Sequence, residues 1–201
     1  MFLAIFWVTL GFALCVIFSS FFEWTLHRYV IHQPVGKFDY AFKAHATVHH
    51  QTFKADHTYH HIPGQNDPGK IPMAWWNGPL LITLCQLPFA IAGAFMGHYW
   101  LMVGTLMASC AYYGAYEYMH FCMHLPKKRV VERSGIFFRL NGHHLLHHRY
   151  MHKNFNVVLP LADLCLGTLL RRSPVHFAQP QGPMVPDVQP KGLPGSVPAG
   201  V

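Results

Sequence analysis

The sequence predicts an all-α integral membrane protein with about three transmembrane helices, one N-terminal and two in a hairpin, and a cytoplasmic helical cap rich in histidine. Three observations predict this architecture. Hydrophobic residues make up 52% of the 201 residues and charged residues only 11%, which is outside the usual range of soluble domains. Two apolar regions are long enough to cross a bilayer. The 17 histidines outnumber the 15 Lys and Arg residues.

The first apolar region is the N-terminal segment "MFLAIFWVTLGFALCVIFSSFF", which contains no charged residue. It reaches the roughly 20 residues that one crossing requires. A basic start and an A-x-A-like cleavage site, both typical of signal peptides, are missing from it. We therefore expect an uncleaved span over about residues 1–24.

The second apolar region, residues 78–118, contains no Lys or Arg and is about twice as long as one crossing needs. It predicts a helical hairpin with spans at about 78–96 and 98–119 and a turn within 93–98. Trp75 and Trp76 would anchor one interface and Tyr99 and Trp100 the other.

The basic residues predict the topology. All 15 lie within residues 28–70 or after residue 126, and two crossings separate these regions, so both lie on one side. The positive-inside rule makes that side cytoplasmic. We expect a cap formed by 27–77 and 120–172, hence one domain over 1–172, followed by a disordered Pro/Gly-rich tail over 173–201.

The net charge of +7 does not indicate nucleic-acid binding, because the basic residues are dispersed and no recognition motif accompanies them. Anionic headgroups of membrane lipids are the expected partners. The five cysteines stand singly, without the spacing of a disulfide framework or a zinc ribbon.

Histidines recur in four short motifs: "HRYVIH", "HATVHH", "HFCMH" and "HHLLHH". A spacing of four residues places two histidines on one helix face, whereas a spacing of five leaves them about 140° apart on an ideal α-helix. Any one motif alone could be an interfacial polar pair. The ten candidate ligands are His27, His32, His45, His49, His50, His120, His124, His144, His147 and His148.

The combination predicts a dinuclear metal site. Imidazole is a common ligand of iron, zinc and copper, and one ion needs about three or four protein ligands. Nine or ten histidines converging at one membrane face are too many for one ion and about right for two. A histidine-rich metal transporter would instead place ligands near the bilayer midplane, where these spans carry almost no ionisable group.

The motifs resemble those of the fatty acid hydroxylase superfamily, the membrane-bound, histidine-rich di-iron oxygenases that include lipid hydroxylases and sterol desaturases. The resemblance covers about residues 23–172. "EWTLHRYVIH" is similar to the family's opening motif, "HATVHH", "YEYMHFCMH" and "HHLLHH" to its later histidine motifs, and "NFNVVLPLADLCLGT" to its ending.

The resemblance implies that the ten histidines bind two iron ions, with zinc as a possible occupant in purified protein and O2 as co-substrate. It also implies that Glu117 and Asp163 orient imidazoles; a helix cap after Pro160 is the alternative role for Asp163. The remaining histidines stay open: His57, His60 and His61 form an extra cluster, His143 could substitute as a ligand, and His152 has no assigned role.

The implied function is hydroxylation of a lipid or fatty acyl substrate, with electrons from a separate ferredoxin, cytochrome or reductase. Alternatives with the same type of site are a carotenoid hydroxylase and a sterol or lipid desaturase.

Overall fold

The computed structural model describes residues 1–171, so the predicted tail over 173–201 lies outside the described residues. Within 1–171 the chain is helical and forms no strand. Helix α1 is Phe2–Leu26, continued by a π-helical turn at His27–Ile31. Helix α2 (40–52) combines Tyr40–Phe42, the π-helical segment Lys43–His49 and His50–Thr52. The others are α3 (Asn77–Met96), α4 (Tyr99–His124), α5 (Gly135–Arg149) and α6 (Leu161–Cys165).

Two helices of the described chain are long and apolar enough to cross a membrane: Phe2–Ile31 and Asn77–Met96. They agree with the predicted spans at 1–24 and 78–96. Helix α4 forms where the third span is predicted, but it does not meet the same criterion. Its sequence contains Ser, Thr, several Tyr and one Glu, which lower its hydropathy, so the third crossing stays a prediction.

Helix α4 packs closely against α1 through small residues. A Cβ atom added to Gly104 would lie 2.0 Å from the carbonyl oxygen of Val8, and one added to Gly11 would lie 2.4 Å from that of Leu101. Only glycine permits this approach of two backbones, a device common in membrane helix pairs. Helix α4 also packs against α3, so it is the central helix of the three.

The hairpin turn between α3 and α4 lies inside the predicted range. Gly97 has a left-handed φ of 68°, and its N–H donates to the carbonyl of Ala94. The N–H of His98 donates to the carbonyl of Gly93 at 2.9 Å. This is the usual glycine-based helix end, and it lets α4 return antiparallel to α3.

The cap is fixed to the end of α1 by buried polar contacts. The Glu23 carboxylate accepts hydrogen bonds from the Tyr112 hydroxyl at 2.7 Å, the Asn156 side-chain amide at 3.1 Å and the Val157 N–H at 2.6 Å. The Ser20 hydroxyl donates to the Leu159 carbonyl at 2.6 Å. The segment after α5 is therefore joined to both α1 and α4, which brings the histidine-bearing elements together.

Candidate metal centre

Ten histidines converge at the end of the helix bundle in two groups of five, and they are the ten candidate ligands. In each group, one ring nitrogen per residue lies within 4.8 Å of all the others. The first group is His27, His32, His45, His50 and His147; the second is His49, His120, His124, His144 and His148. The groups adjoin, since the rings of His50 and His148 stack with centroids 4.2 Å apart.

Local helix geometry decides which group each histidine joins. The predicted separation of about 140° for His27 and His32 is wrong, because this segment is π-helical and the N–H of His32 donates to the carbonyl of His27. A bond between residues five apart closes one turn, so the two side chains stand on the same side. The same bond joins His50 to His45. Both five-residue pairs thus enter the first group.

The α-helical spacings supply most of the second group. His120 and His124 are four apart on α4, and His144 and His148 are four apart on α5, so each pair shares a face. His147 lies between the members of the α5 pair and faces the first group instead. Helix α5 therefore contributes to both groups.

The Nε2 atoms of all ten histidines point inward. In the first group Nε2–Nε2 distances are 3.0 Å for His27 and His45, 3.1 Å for His50 and His45, and 3.0 Å for His32 and His147. In the second group they are 3.2 Å for His120 and His49, 3.1 Å for His124 and His144, and 3.0 Å for His148 and His144. Each group therefore forms a small nitrogen-lined cage.

Backbone carbonyls hold the outer nitrogens of five of these rings. The Nδ1 atoms of His27, His49 and His147 contact the carbonyls of Phe155, Lys70 and Lys153. Those of His124 and His148 contact the carbonyls of Tyr59 and Phe53. A carbonyl only accepts, so Nδ1 carries the proton in each of these rings and the inward Nε2 carries the lone pair. Such contacts typically orient metal-binding histidines.

Hydrogen bonding among the imidazoles cannot satisfy these inward lone pairs. His124 and His148 both present an Nε2 lone pair to the Nε2 of His144, and one proton on His144 could serve only one of them. Within residues 1–171 the Nδ1 of His144 has no hydrogen-bond partner, and neither does that of His50. A cation inside each cage would accept all five lone pairs, so the donor set fits a metal ion.

The distances of the closest nitrogen pairs are compatible with ligands that share one ion. With metal–nitrogen distances of about 2.1 Å, neighbouring ligands lie about 3.0 Å apart at right angles and about 3.4 Å apart in a tetrahedron. The close pairs, at 3.0–3.2 Å, agree with the right-angled arrangement. The five donors of each cage also exceed the four ligands of a structural zinc site.

Burial keeps the cap histidines neutral. Loss of solvation lowers the pKa of His49 to about 4, and loss of solvation followed by repulsion from His49 lowers the pKa of His32 to about 4. Burial and neighbouring imidazoles lower the pKa of His148 well below its usual range. Metal ligation requires neutral imidazole, so these residues are in the ligating state at neutral pH.

Residues 12–168 match the family model described as fatty acid hydroxylase. The chain belongs to the fatty acid hydroxylase family. No curated protein and no solved structure matches it significantly. The resemblance of its histidine motifs to this family is thereby confirmed.

The two predicted acidic partners of the fatty acid hydroxylase site have other contacts. Glu117 does not bond an imidazole in the described chain; its carboxylate accepts a hydrogen bond from the Tyr113 hydroxyl at 2.9 Å. Asp163 contacts His143 Nε2 at 3.1 Å, but His143 belongs to neither cage. Asp163 thus does contact an imidazole, while Glu117 lies one turn before His120 on a face turned toward a cavity. The role of both acids in orienting metal ligands stays a prediction.

Asp163 instead supports one cage indirectly. Its carboxylate accepts from the N–H groups of Phe155 at 2.9 Å and Asn156 at 2.8 Å, and from the Thr168 hydroxyl at 2.6 Å. The Phe155 carbonyl in turn contacts His27 Nδ1. Asp163 thus fixes the loop that orients a candidate ligand and does not cap α6.

Sequence reasoning missed Glu23 and the carbonyl acceptors. Glu23 precedes His27 by one helical turn in "EWTLH", and a carboxylate inside an otherwise apolar span was the available signal. The carbonyls had no signal, because every residue has one. Of the open histidines, His60 Nδ1 contacts the Met123 carbonyl at 3.0 Å and His61 Nδ1 contacts Asn66 at 2.9 Å. Both fix a loop beside α4, while His57 and His152 are exposed.

A mostly apolar cavity adjoins the first cage. It lies between α1, α3 and α4, measures about 660 Å³ including its open mouth, and has His27 in its wall. Phe22, Leu81 and Tyr116 contribute apolar surface, and Glu117 contributes a polar side chain. An apolar ligand in this cavity would lie beside the histidines.

Proposed function

We propose that the protein is a membrane-bound, non-haem di-iron oxygenase that hydroxylates a lipid or fatty acyl substrate. The observation that carries the proposal is the pair of adjoining five-histidine cages with every Nε2 turned inward. Iron is favoured over zinc because each cage offers five donors, more than the four that structural zinc uses, and because O2 chemistry requires a redox-active ion. Two iron ions would supply activation of O2 for attack on an unreactive C–H bond.

The protein's own residues would perform three tasks around that chemistry. The ten histidines hold the ions, and the carbonyls of Phe155, Lys70 and Tyr59 keep rings in the ligating orientation. Burial excludes bulk water from the cages, since His124, His144 and His147 have no exposed surface. Exclusion of water protects an oxidising site from side reactions.

The substrate would reach the site through the cavity between α1, α3 and α4. Phe22, Leu81 and Ile82 line it with surface suited to an acyl chain, and His27 marks the wall nearest the first cage. Helices α1 and α3 are both candidate membrane spans. A lipid could therefore pass from the bilayer into the cavity without crossing water.

The predicted topology completes the proposal. Three crossings, with α4 as the third, would place the cap and both cages at the cytoplasmic face, where a ferredoxin, cytochrome or reductase can deliver electrons. The distribution of Lys and Arg supports this orientation. Residues 1–172 would then act as one membrane domain, multi-pass and accessible to a soluble electron donor.

Iron quantification on the purified full chain, paired with lipid profiling of cells with and without the gene, tests the proposal. We expect two irons per chain and a hydroxylated lipid that disappears with the gene. His124→Ala should lower the iron content and abolish the product, whereas the exposed His57→Ala should change neither. One metal or none, with unchanged lipids, would refute the function. An unsaturated product in place of an alcohol would identify a desaturase.

A further inference from the structure

A second concave surface lies beside helix α5 of the cap, and its lining includes none of the ten cage histidines. It runs between α5 and the segment after α6 and measures about 890 Å³ including its open mouth. Phe138 and Leu146 of α5 face Leu169 and Leu170 across it, and Arg139 and Arg171 stand in its lining. We call this surface the α5 groove. The catalytic proposal makes no use of it.

The walls of the α5 groove are held by buried polar contacts. The side chain of Asn154 bonds Leu170 twice: its Oδ1 accepts from the Leu170 N–H at 2.6 Å, and its Nδ2 donates to the Leu170 carbonyl at 3.2 Å. The Leu169 N–H donates to the Asp163 carbonyl at 3.0 Å. The groove is therefore a preformed feature of the cap.

The polar part of the groove is cationic. Arg139 and Arg171 are exposed, and neither pairs with a carboxylate within residues 1–171. Asp163, which contacts the groove residue His143, is fully buried. Two unpaired guanidinium groups beside an apolar channel complement a ligand with an anionic head and an apolar tail.

The contact of the groove segment with Ser20 of α1 indicates that the groove lies near the edge of the membrane. The Leu159 carbonyl and the Ala162 N–H both bond the Ser20 hydroxyl, so the segment that leads into the groove is fixed beside Ser20. Ser20 lies 18 residues after Phe2, the first residue of α1, or about 27 Å along the helix axis. That is close to the thickness of the hydrocarbon core, about 30 Å.

Exposed apolar side chains also occur in the chain segment that leads to the groove. Leu164 is 55% exposed and Leu166 is 47% exposed, and both lie between Ser20's partner Ala162 and Leu169. Clustered apolar exposure beside cationic residues is typical of a surface that rests in the headgroup region. A soluble acidic protein would pair with the two arginines but would not require the apolar surface beside them.

We infer that the α5 groove binds an anionic glycerophospholipid of the surrounding membrane. The phosphate accepts hydrogen bonds from Arg139 and Arg171, and an acyl chain lies along Phe138, Leu146 and the Leu169–Leu170 wall. This site is separate from the cavity beside His27, so the bound lipid is a structural partner of the cap and not the substrate. The inference does not depend on the catalytic proposal.

Binding of soluble short-chain lipids to the purified full chain in a neutral detergent tests the inference. Dioctanoyl phosphatidylglycerol, dioctanoyl phosphatidylcholine and inorganic phosphate are titrated separately, with native mass spectrometry as the readout. We expect phosphatidylglycerol to bind most tightly. The variant R139Q/R171Q should weaken its binding by at least about tenfold, since a single hydrogen bond to a charged group already accounts for that factor.

The matched control is K128Q/R133Q, which removes the same charge from exposed residues outside the groove and should bind phosphatidylglycerol as the unaltered chain does. Phe138→Ser should weaken the lipid but not phosphate, and it leaves the fold intact because Phe138 is 63% exposed.

Several outcomes would overturn the inference. These are equal affinity for the two lipids, phosphate binding as tight as lipid binding, and equal losses in the groove and control variants. Retained phosphatidylglycerol binding in R139Q/R171Q with loss of binding to an acidic plant-type ferredoxin would overturn it in favour of a protein-docking surface. Iron content is expected to stay unchanged in all variants, so this test and that of the catalytic proposal fail independently.

Discussion

Replacement of Asp163 by Asn tests whether a buried carboxylate outside the cages holds a candidate ligand in place. Asp163 is fully buried and accepts hydrogen bonds from Phe155, Asn156 and Thr168, in addition to its contact with His143. Asparagine keeps one oxygen but turns an NH2 group toward the donors at the other position. The substitution therefore removes acceptors that the neighbouring N–H groups cannot replace.

The magnitude follows from the number of bonds lost. Whichever way the introduced side-chain amide lies, its NH2 group faces two former donors. Each hydrogen bond to a charged acceptor contributes about 1.5–3 kcal/mol, so Asp163→Asn should lower the free energy of unfolding by about 3–6 kcal/mol. For a chain of this length that is a decrease in melting temperature of at least about 6 °C.

The second effect is on metal binding. The Phe155 N–H bonds Asp163, and the Phe155 carbonyl orients His27, so loss of the carboxylate should loosen the first cage. Loss of such supporting contacts typically weakens metal affinity about 10- to 100-fold. The second cage does not depend on this loop. We expect one of two irons to leave Asp163→Asn at a lower chelator concentration than it leaves the unaltered protein.

The assay combines thermal unfolding in detergent with iron content after graded chelation. Asp39→Asn is the matched control, because it makes the same chemical change at an exposed residue whose partner is Lys43. Exposed ion pairs contribute little, so the control should stay within about 0.5 kcal/mol. An Asp163→Asn protein as stable as the control, with both irons equally retained, would refute the proposed support of His27 by Asp163.

Two further predictions concern packing and pH. Gly104→Ala should destabilise the helix pair by several kcal/mol, since the new Cβ would lie 2.0 Å from the Val8 carbonyl oxygen. Gly114→Ala is the control: its new Cβ would have no atom within 4 Å, so the change should be neutral or stabilising by about 1 kcal/mol. Thermal unfolding measures the difference between the two variants, and equal melting temperatures would contradict the close approach of α1 and α4. The metal-free protein should lose stability as the pH falls below about 6.5, the pKa of an unfolded histidine. His49 has a pKa of about 4 in the folded protein, so the unfolded chain binds the proton first. By pH 5, His49 alone should lower the free energy of unfolding by about 2 kcal/mol. Unfolding measured between pH 7 and pH 5 tests this, and a flat profile would count against buried neutral histidines.

Hydrophobic length and turn chemistry were sufficient to predict the helices. The apolar segment up to Phe22 and the region 78–118 predicted α1, α3 and α4 within a few residues of their observed bounds. Gly97 ends α3 inside the range 93–98 that was predicted for the turn. The crossing of α4 did not follow as clearly. Some of its polar residues, such as Thr105 and Ser109, are buried against other helices. Such residues lower the mean hydropathy of α4, although they would not contact lipid. Hydropathy alone therefore does not decide whether α4 crosses the membrane.

The acidic residues show the limit of motif comparison. The resemblance to the family implied that Glu117 and Asp163 orient the imidazoles of the metal ligands. The structure places Glu117 on the cavity wall and connects Asp163 to His27 only through a backbone carbonyl. A motif specifies which residue types occur in order. The direction of a side chain depends on helix packing that no local pattern contains.

The division of the histidines into two cages depends on a feature of the backbone that the sequence states only indirectly. His49 and His50 are neighbours in the chain yet belong to different cages. In an α-helix His45 would share its face with His49, but the π-helical segment Lys43–His49 brings His45 and His50 to the same side. A π-helix is rare and costs stability, so its occurrence at both five-residue spacings, His27 with His32 and His45 with His50, needs a compensating gain. Completion of a five-nitrogen cage provides that gain. A spacing of five residues does not place two side chains on one face of an α-helix. It therefore identifies the two places where ligand geometry, and not backbone preference, determines the type of helix.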